Sequence, residues 1–358
     1  MTQKERLHFL LDYLGKERTA DIEIPSDISE QKRLLRSLMN VRAPKSISEE
    51  FIKIQDEYLQ TEIVDNGITD INNLTPVRDK LYIWQGDIME EFIMNKNTFT
   101  KVTLAKGEMN VYDFGGIKLH AYKTNDFIDD EVFLVEKNGK AVVIESPCFF
   151  DNNKELEEYI DGLKVETAGM LVAYHGAGAQ CLKNVPKYAT ANAKEYSENG
   201  GGKALIDNFT AAFGEIFDNS IHEITNVIGA SKVTIGGIDF IITPTQEAFD
   251  IEIPEINAVY THMLGHDCHS IVAGAGHADA IIAQLKEYIE KGYDLILTSH
   301  YTPEDLKDAE TKIAYLENLK EIAAACKTAD EFKEKVKERY GNYSGGNYLD
   351  MTAGFFFA

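Results

Sequence analysis

The chain has 358 residues, 44% hydrophobic and 27% charged, enough to build one large domain or two ordinary ones. A formal net charge of −23 repels phosphate backbones, and no basic cluster with interleaved aromatics offsets that field, so nucleic acid is excluded as an expected partner. No run approaches the ~18 apolar residues that span a bilayer, and the charged start Met1-Thr2-Gln3-Lys4-Glu5-Arg6 lacks a signal peptide's apolar segment, so a cytoplasmic protein with no membrane partner is expected.

In chain order, apolar spacing predicts helices over 5–14, in the stretch from Ser26 to Met39, and over 49–61, then a strand over 80–88. A second composition begins near Met89. Short β-rich runs at 101–104, 109–114, 117–122, 131–136 and 141–144 form a meander, and Asn138-Gly139 carries the hairpin signal of a type I′ turn. A helix over 154–163 follows, then the apolar run Gly169-Met170-Leu171-Val172-Ala173-Tyr174, a buried strand that delivers His175 to a sheet edge. Beyond it lie a strand at 185–189, helices at 191–196 and 204–217, and a hairpin over 233–242 around Gly236-Gly237. The chain ends with 256–263, a helix over 278–290, a strand over 294–298, and helices over 303–326 and 329–340. The apolar tail from Tyr348 to Phe357 is expected to dock on its own core or on a second subunit, which makes a homodimer an expected partner state. Cys148, Cys181, Cys268 and Cys326 are scattered without CxxC spacing, and reduced thiols are expected.

Two resemblances stand beside this reading. The run from Arg33 to Lys45, with Glu49 to Gln60, resembles the helical leader of microbial macro-domain proteins that hydrolyse protein-linked ADP-ribose. Trp84-Gln85-Gly86-Asp87-Ile88 is similar to that family's first macro strand, whose aspartate contacts adenine. The likeness covers about residues 1–88 and stops before the segments that build the family's pocket.

From about residue 95 to 358, the order of meander, strand ending in histidine, helices, Gly-Gly hairpin, glycine-histidine element and strand ending in Ser299-His300-Tyr301-Thr302-Pro303 resembles the metallo-β-lactamase fold. The resemblance implies an α+β four-layer αββα sandwich over 91–358, behind a small helical N-terminal segment over 1–90. That family's histidine-rich loop falls here on His175, Ala177, Ala179 and Gln180, its next histidine on Gln246, its bridging aspartate on His266 and its last histidine on His300. His175, His266 and His300 could together make one mononuclear site with water in the fourth position, whereas a two-zinc hydrolase needs about three ligands per metal.

Other histidines compete for the role. His266 and His269 flank Cys268, a donor density that suits zinc or iron, while a buried histidine network fits the same residues. His262 and His277 could point into core or solvent, and Asp267 and Asp279 could be ligands, partners of imidazole, solvated charges or caps. Tyr174 and Tyr301 flank two proposed ligands. Asn199-Gly200-Gly201-Gly202-Lys203 lacks P-loop spacing and reads as a loop opening a helix.

The expected activity is hydrolysis of a small ester, thioester or lactone as the small-molecule ligand, at a single zinc or iron ion held by His175, His266 and His300, with His269 beside them. The alternative is a pseudoenzyme without metal, acting as a binding or regulatory module. A third idea, ADP-ribosyl hydrolysis by the N-terminal part, lacks the pocket residues.

Overall fold

The computed structural model describes residues 96–357; the N-terminal leader, with its expected helices and strand, lies outside the described residues. Two mixed sheets carry the fold. The first has eight strands in sequence order: β1 (Thr100–Thr103), β2 (Glu108–Asp113), β3 (Ile117–Lys123), β4 (Glu131–Lys137), β5 (Lys140–Ile144), β6 (Glu166–Leu171), β7 (Lys187–Thr190) and β8 (Asn226–Ile228). β1 to β5 pair antiparallel, and β5 to β8 pair parallel. The second sheet orders as β14-β13-β12-β11-β10-β9, from β9 (Lys232–Ile235), β10 (Ile238–Pro244), β11 (Phe249–Ile253), β12 (Ala258–Thr261), β13 (Leu295–Thr298) and β14 (Tyr301–Glu304).

Local chemistry explains the meanders. Asn138 and Gly139 both take positive φ, 51° and 74°, as a two-residue type I′ hairpin requires, and Lys137 pairs with Lys140 across it. Gly236 and Gly237, at 61° and 83°, close the β9–β10 hairpin in the same way. Parallel pairing instead needs crossovers. Helix α1 (Phe150–Leu163) joins β5 to β6, and α4 (Ala275–Lys291) joins β12 to β13. Helices α2 (Ala191–Asn199) and α3 (Gly201–Phe213) follow β7.

The sheets face each other. Phe133 of β4 and Tyr260 of β12 are both fully buried and meet edge to face at 5.9 Å. Val259 and Ile296, on the opposite face of the second sheet, join a core with Leu285, Leu316, Leu319, Phe332 and Leu349 of the outer helices. Those are α4, α5 (Leu306–Ala325), α6 (Ala329–Arg339) and α7 (Gly346–Phe356). With both faces covered, strands such as Leu295–Thr298 are buried throughout, as parallel strands must be. The result is the αββα sandwich that the resemblance implies.

Some elements go beyond the sequence expectation. β8, β11 and β14 are additional strands; Pro303 sits in β14 because that strand is the sheet's edge, where a missing N–H costs no ladder bond. The apolar tail is helix α7, whose Leu349, Thr352 and Ala353 dock on the chain's own core while Phe356 and Phe357 lie against Phe332. The stretch from Gly200 to Lys203 opens a helix, as expected: Gly200 is the junction of α2 and α3, and Lys203 pairs with Asp207 along α3.

Candidate metal centre

Three histidines meet where strands from both sheets end. His175 follows β6 in the first sheet, His262 directly follows β12, and His300 is the second residue of the Ser299-His300 turn between β13 and β14. Parallel pairing of β12 with β13 sets Thr261 beside Thr298, which brings the next residues of the two strands to the same edge. Each of the three offers one ring nitrogen within 4.8 Å of the others, and the Nε2 atoms of His262 and His300 are 3.3 Å apart. Two donors held ~2.0–2.1 Å from one tetrahedral ion are separated by about 3.4 Å, so this spacing suits a shared metal.

The rings are held from behind. Glu145, at positive φ (65°) just past β5, accepts the backbone N–H groups of Ala173 (3.3 Å), Tyr174 (2.7 Å) and His175 (3.2 Å), and the Tyr260 hydroxyl at 2.7 Å. Burial pushes its carboxyl up to about 7, against the pull of those four donors. Tyr174 stacks on His262 with centroids 4.8 Å apart, its hydroxyl donating to Asp250 at 2.9 Å. His300 donates from Nδ1 to the Ile128 carbonyl at 3.2 Å, which leaves the lone pair on Nε2, facing His262, as the atom that could bind a metal. Gly178, at φ 87°, lets the loop after His175 pass the Pro147 carbonyl, which a Cβ there would meet at 2.2 Å.

The electrostatics favour uncharged rings. Burial first, then the neighbouring imidazoles, holds His175 well below the ordinary histidine range. His262 is lowered to about 3, by desolvation first and then by His300, although its side chain is solvent-exposed. Desolvation lowers His300 as well. Neutral imidazole is the metal-binding form. Both carboxylate oxygens of fully buried Asp130 and Nδ1 of His175 lack a hydrogen-bond partner. Three convergent imidazoles are a donor set that fits a single divalent ion.

The other expected ligands lie elsewhere. Glu304 Oε1 meets His266 twice, lying 2.7 Å from its Nδ1 and accepting its backbone N–H at 2.7 Å; Asp308 stands 3.5 Å from Nε2. That trio could also hold a cation by its geometry, but Lys96 Nζ already pairs with Asp308. His269 is buried with Nδ1 at 2.9 Å from the Tyr315 hydroxyl. The structure therefore groups His175 and His300 with His262, not with His266 or His269. The reason is strand geometry: β12 ends at Thr261, so its first following residue, His262, reaches the edge, and His266 is carried past it to the start of α5.

Asp279 is exposed and pairs with Lys320, and Asp267 is exposed. His277 Nδ1 accepts from Ala273 N–H at 3.0 Å. His120 sits between Tyr159 and Glu136, and His222 Nε2 lies 2.7 Å from Ser146 Oγ. Tyr301 meets His266 edge to face, away from the three-histidine cluster. All four cysteines are free thiols. Glu145 and Asp130 were not anticipated, because a lone carboxylate beside a strand has no spacing to mark it.

No family model matches the chain. In its N-terminal region it is 51% identical over 94 residues to the protein-ADP-ribose hydrolase of Treponema medium, covering 25% of this chain and 36% of that protein. It is 32% identical over 90 residues to the protein-ADP-ribose hydrolase of Staphylococcus aureus (strain Mu50), covering 24% of this chain and 34% of that protein. The chain thus spans about a third of the length of these curated relatives. Among solved structures, a metallo-β-lactamase from Erythrobacter litoralis overlaps 61% of this chain and 100% of its own at 12% identity and a TM-score of 0.44. The inverting sec-alkylsulfatase Pisa1 from Pseudomonas sp. overlaps 66% and 48% at 13% identity and a TM-score of 0.46. Among the described residues, no helix is long and apolar enough to cross a membrane.

Proposed function

We propose that residues 91–358 form a hydrolase-type domain with a mononuclear metal centre held by His175, His262 and His300, acting on a small ester, thioester or lactone. The observation that carries this reading is the convergence of three ring nitrogens within 4.8 Å of one another where strands of both sheets end, with His262 open to solvent. Three imidazoles leave the charge of a bound zinc or iron ion uncompensated, and such an ion brings the pKa of its water near 7 and polarises a substrate carbonyl. The protein's own part is positioning. Glu145 fixes the backbone that carries His175, the Ile128 carbonyl fixes the ring of His300, and Tyr174 supports His262 by stacking. The exposed side of His262 is the direction from which a carbonyl would approach.

A second reading has its own support. Ala177 stands where the resemblance places a further ligand, and it is packed with Cys148 and Phe149. A metal-holding module without turnover would tolerate that loss.

Metal analysis of the untagged full chain, after zinc or ferrous supplementation, tests the centre. About one equivalent in the wild type and in His266→Ala, with loss in His262→Ala, is expected. Less than about a tenth of an equivalent in the wild type sinks the reading, since a preformed three-ligand site should fill. A loaded protein inactive on esters, thioesters and lactones would leave the non-catalytic module.

A further inference from the structure

We infer that Asp130 is a positioning residue for this centre: its buried carboxylate faces Nδ1 of His175, beside the His300 Nδ1 that the Ile128 carbonyl already holds, and fixes the His175 tautomer that turns Nε2 toward the metal. The inference rests on the three-histidine reading but concerns the wall behind it.

Asp130 precedes β4, on the first sheet, yet it is bound to the end of the second. The neighbouring Glu131 N–H donates to the Ser299 carbonyl at 2.7 Å, and His300 Nδ1 donates to the Ile128 carbonyl. These two bonds clamp residues 128–131 against 299–300. They leave Asp130 Oδ1 at 3.3 Å from His300 Nδ1 and 3.7 Å from His175 Nδ1. Asp130 is wholly buried, and neither of its oxygens meets a donor in hydrogen-bonding geometry. His175 Nδ1 is buried and equally unpaired.

Two orphaned partners facing each other in a dry site are complementary. A shift of under ~1 Å in the His175 ring would bring the pair to normal N–H···O distance. Direct ligation by Asp130 is disfavoured, because the His300 nitrogen it faces is the one that already donates to a carbonyl. A carboxylate that takes Nδ1–H from an imidazole sets the ring's orientation and raises the basicity of Nε2, the usual arrangement behind metal-bound histidine.

The test uses the full chain with Asp130→Ala and Asp130→Asn. Two readouts are taken: cobalt(II) affinity by chelator competition with the visible d–d spectrum, and ¹⁵N-histidine NMR of the metal-free protein to read ring tautomers. Expected are Nδ1–H rings at His175 and His300 in the wild type, a mixed His175 tautomer with 10–100-fold weaker cobalt binding in Asp130→Ala while His300 keeps its Nδ1–H on the Ile128 carbonyl, and substantial recovery of the His175 tautomer and of affinity in Asp130→Asn, whose amide oxygen still accepts. Affinity within about twofold of wild type and unchanged tautomers in Asp130→Ala overturn the inference. Should Asp130→Ala fail to fold, Asp130→Asn decides: a wild-type tautomer pattern supports the inference, and scrambled tautomers overturn it. If the wild type binds no cobalt, the metal reading fails, yet the tautomer measurement still judges Asp130.

Discussion

Glu145 shows how much of the site depends on one buried acceptor. It gathers three consecutive backbone N–H groups and a tyrosine hydroxyl, from a backbone conformation that L-residues rarely adopt. Replacing it by Gln keeps the shape but removes the charged acceptor and turns an NH₂ toward donors. We expect Glu145→Gln to cost about 1–3 kcal/mol in urea unfolding, the penalty for leaving buried donors imperfectly paired, and to lower metal occupancy because the segment carrying His175 loosens. Unchanged stability would mean that the N–H groups find other acceptors. This residue, like Asp130, could not be read from the sequence: its partners lie 28 to 115 positions away and follow no local pattern.

Elements whose conformation is decided within a few residues were legible. The Asn138-Gly139 and Gly236-Gly237 turns demand positive φ wherever they occur, and the strands beside them follow. His175 and His300 could be placed at strand ends for a similar reason. What was not legible depends on tertiary register. Only the parallel pairing of β12 with β13 shows that the chain leaves the sheet after Thr261, so that His262 rather than His266 meets His300. Helix α7 was also hidden, because its N-cap is Gly345 with no side-chain cap bond and its residues read equally well as an apolar tail. Its role can be measured: Leu349 is fully buried in the outer helical core, so Leu349→Ala should cost about 2–5 kcal/mol. A drop below about 1 kcal/mol in the urea-derived stability would show that α7 is an ornament on the sandwich.

At the scale of the whole molecule, an acidic chain buries several histidines in neutral form alongside carboxylates whose pKa burial raises. These groups oppose one another as pH falls. His222, 2% exposed, is lowered to about 3, chiefly by burial, whereas the unfolded ring protonates near 6.5. Its contribution to stability is therefore present above pH 6.5 and is lost as pH falls toward 3, by at most ~1.4 kcal/mol per pH unit. Buried Asp130 and Glu131, raised by desolvation, act in the other direction and mask this in the wild type alone. The difference between wild type and His222→Asn isolates it. Below pH 6.5 the stability gap in metal-free protein should move in the variant's favour with that slope; a gap independent of pH would show that the ring titrates normally in the fold.

His175 hangs from the first sheet, and His262 and His300 hang from the second. An ion shared by the three would be a tie-rod through the sandwich, and its binding energy would count against pulling the two halves apart. With free metal a thousandfold above Kd, that cohesion amounts to about 4.1 kcal/mol of unfolding free energy. Chelation would then lower Tm as well as empty the centre, and the melting temperature of a given preparation would report its metal history.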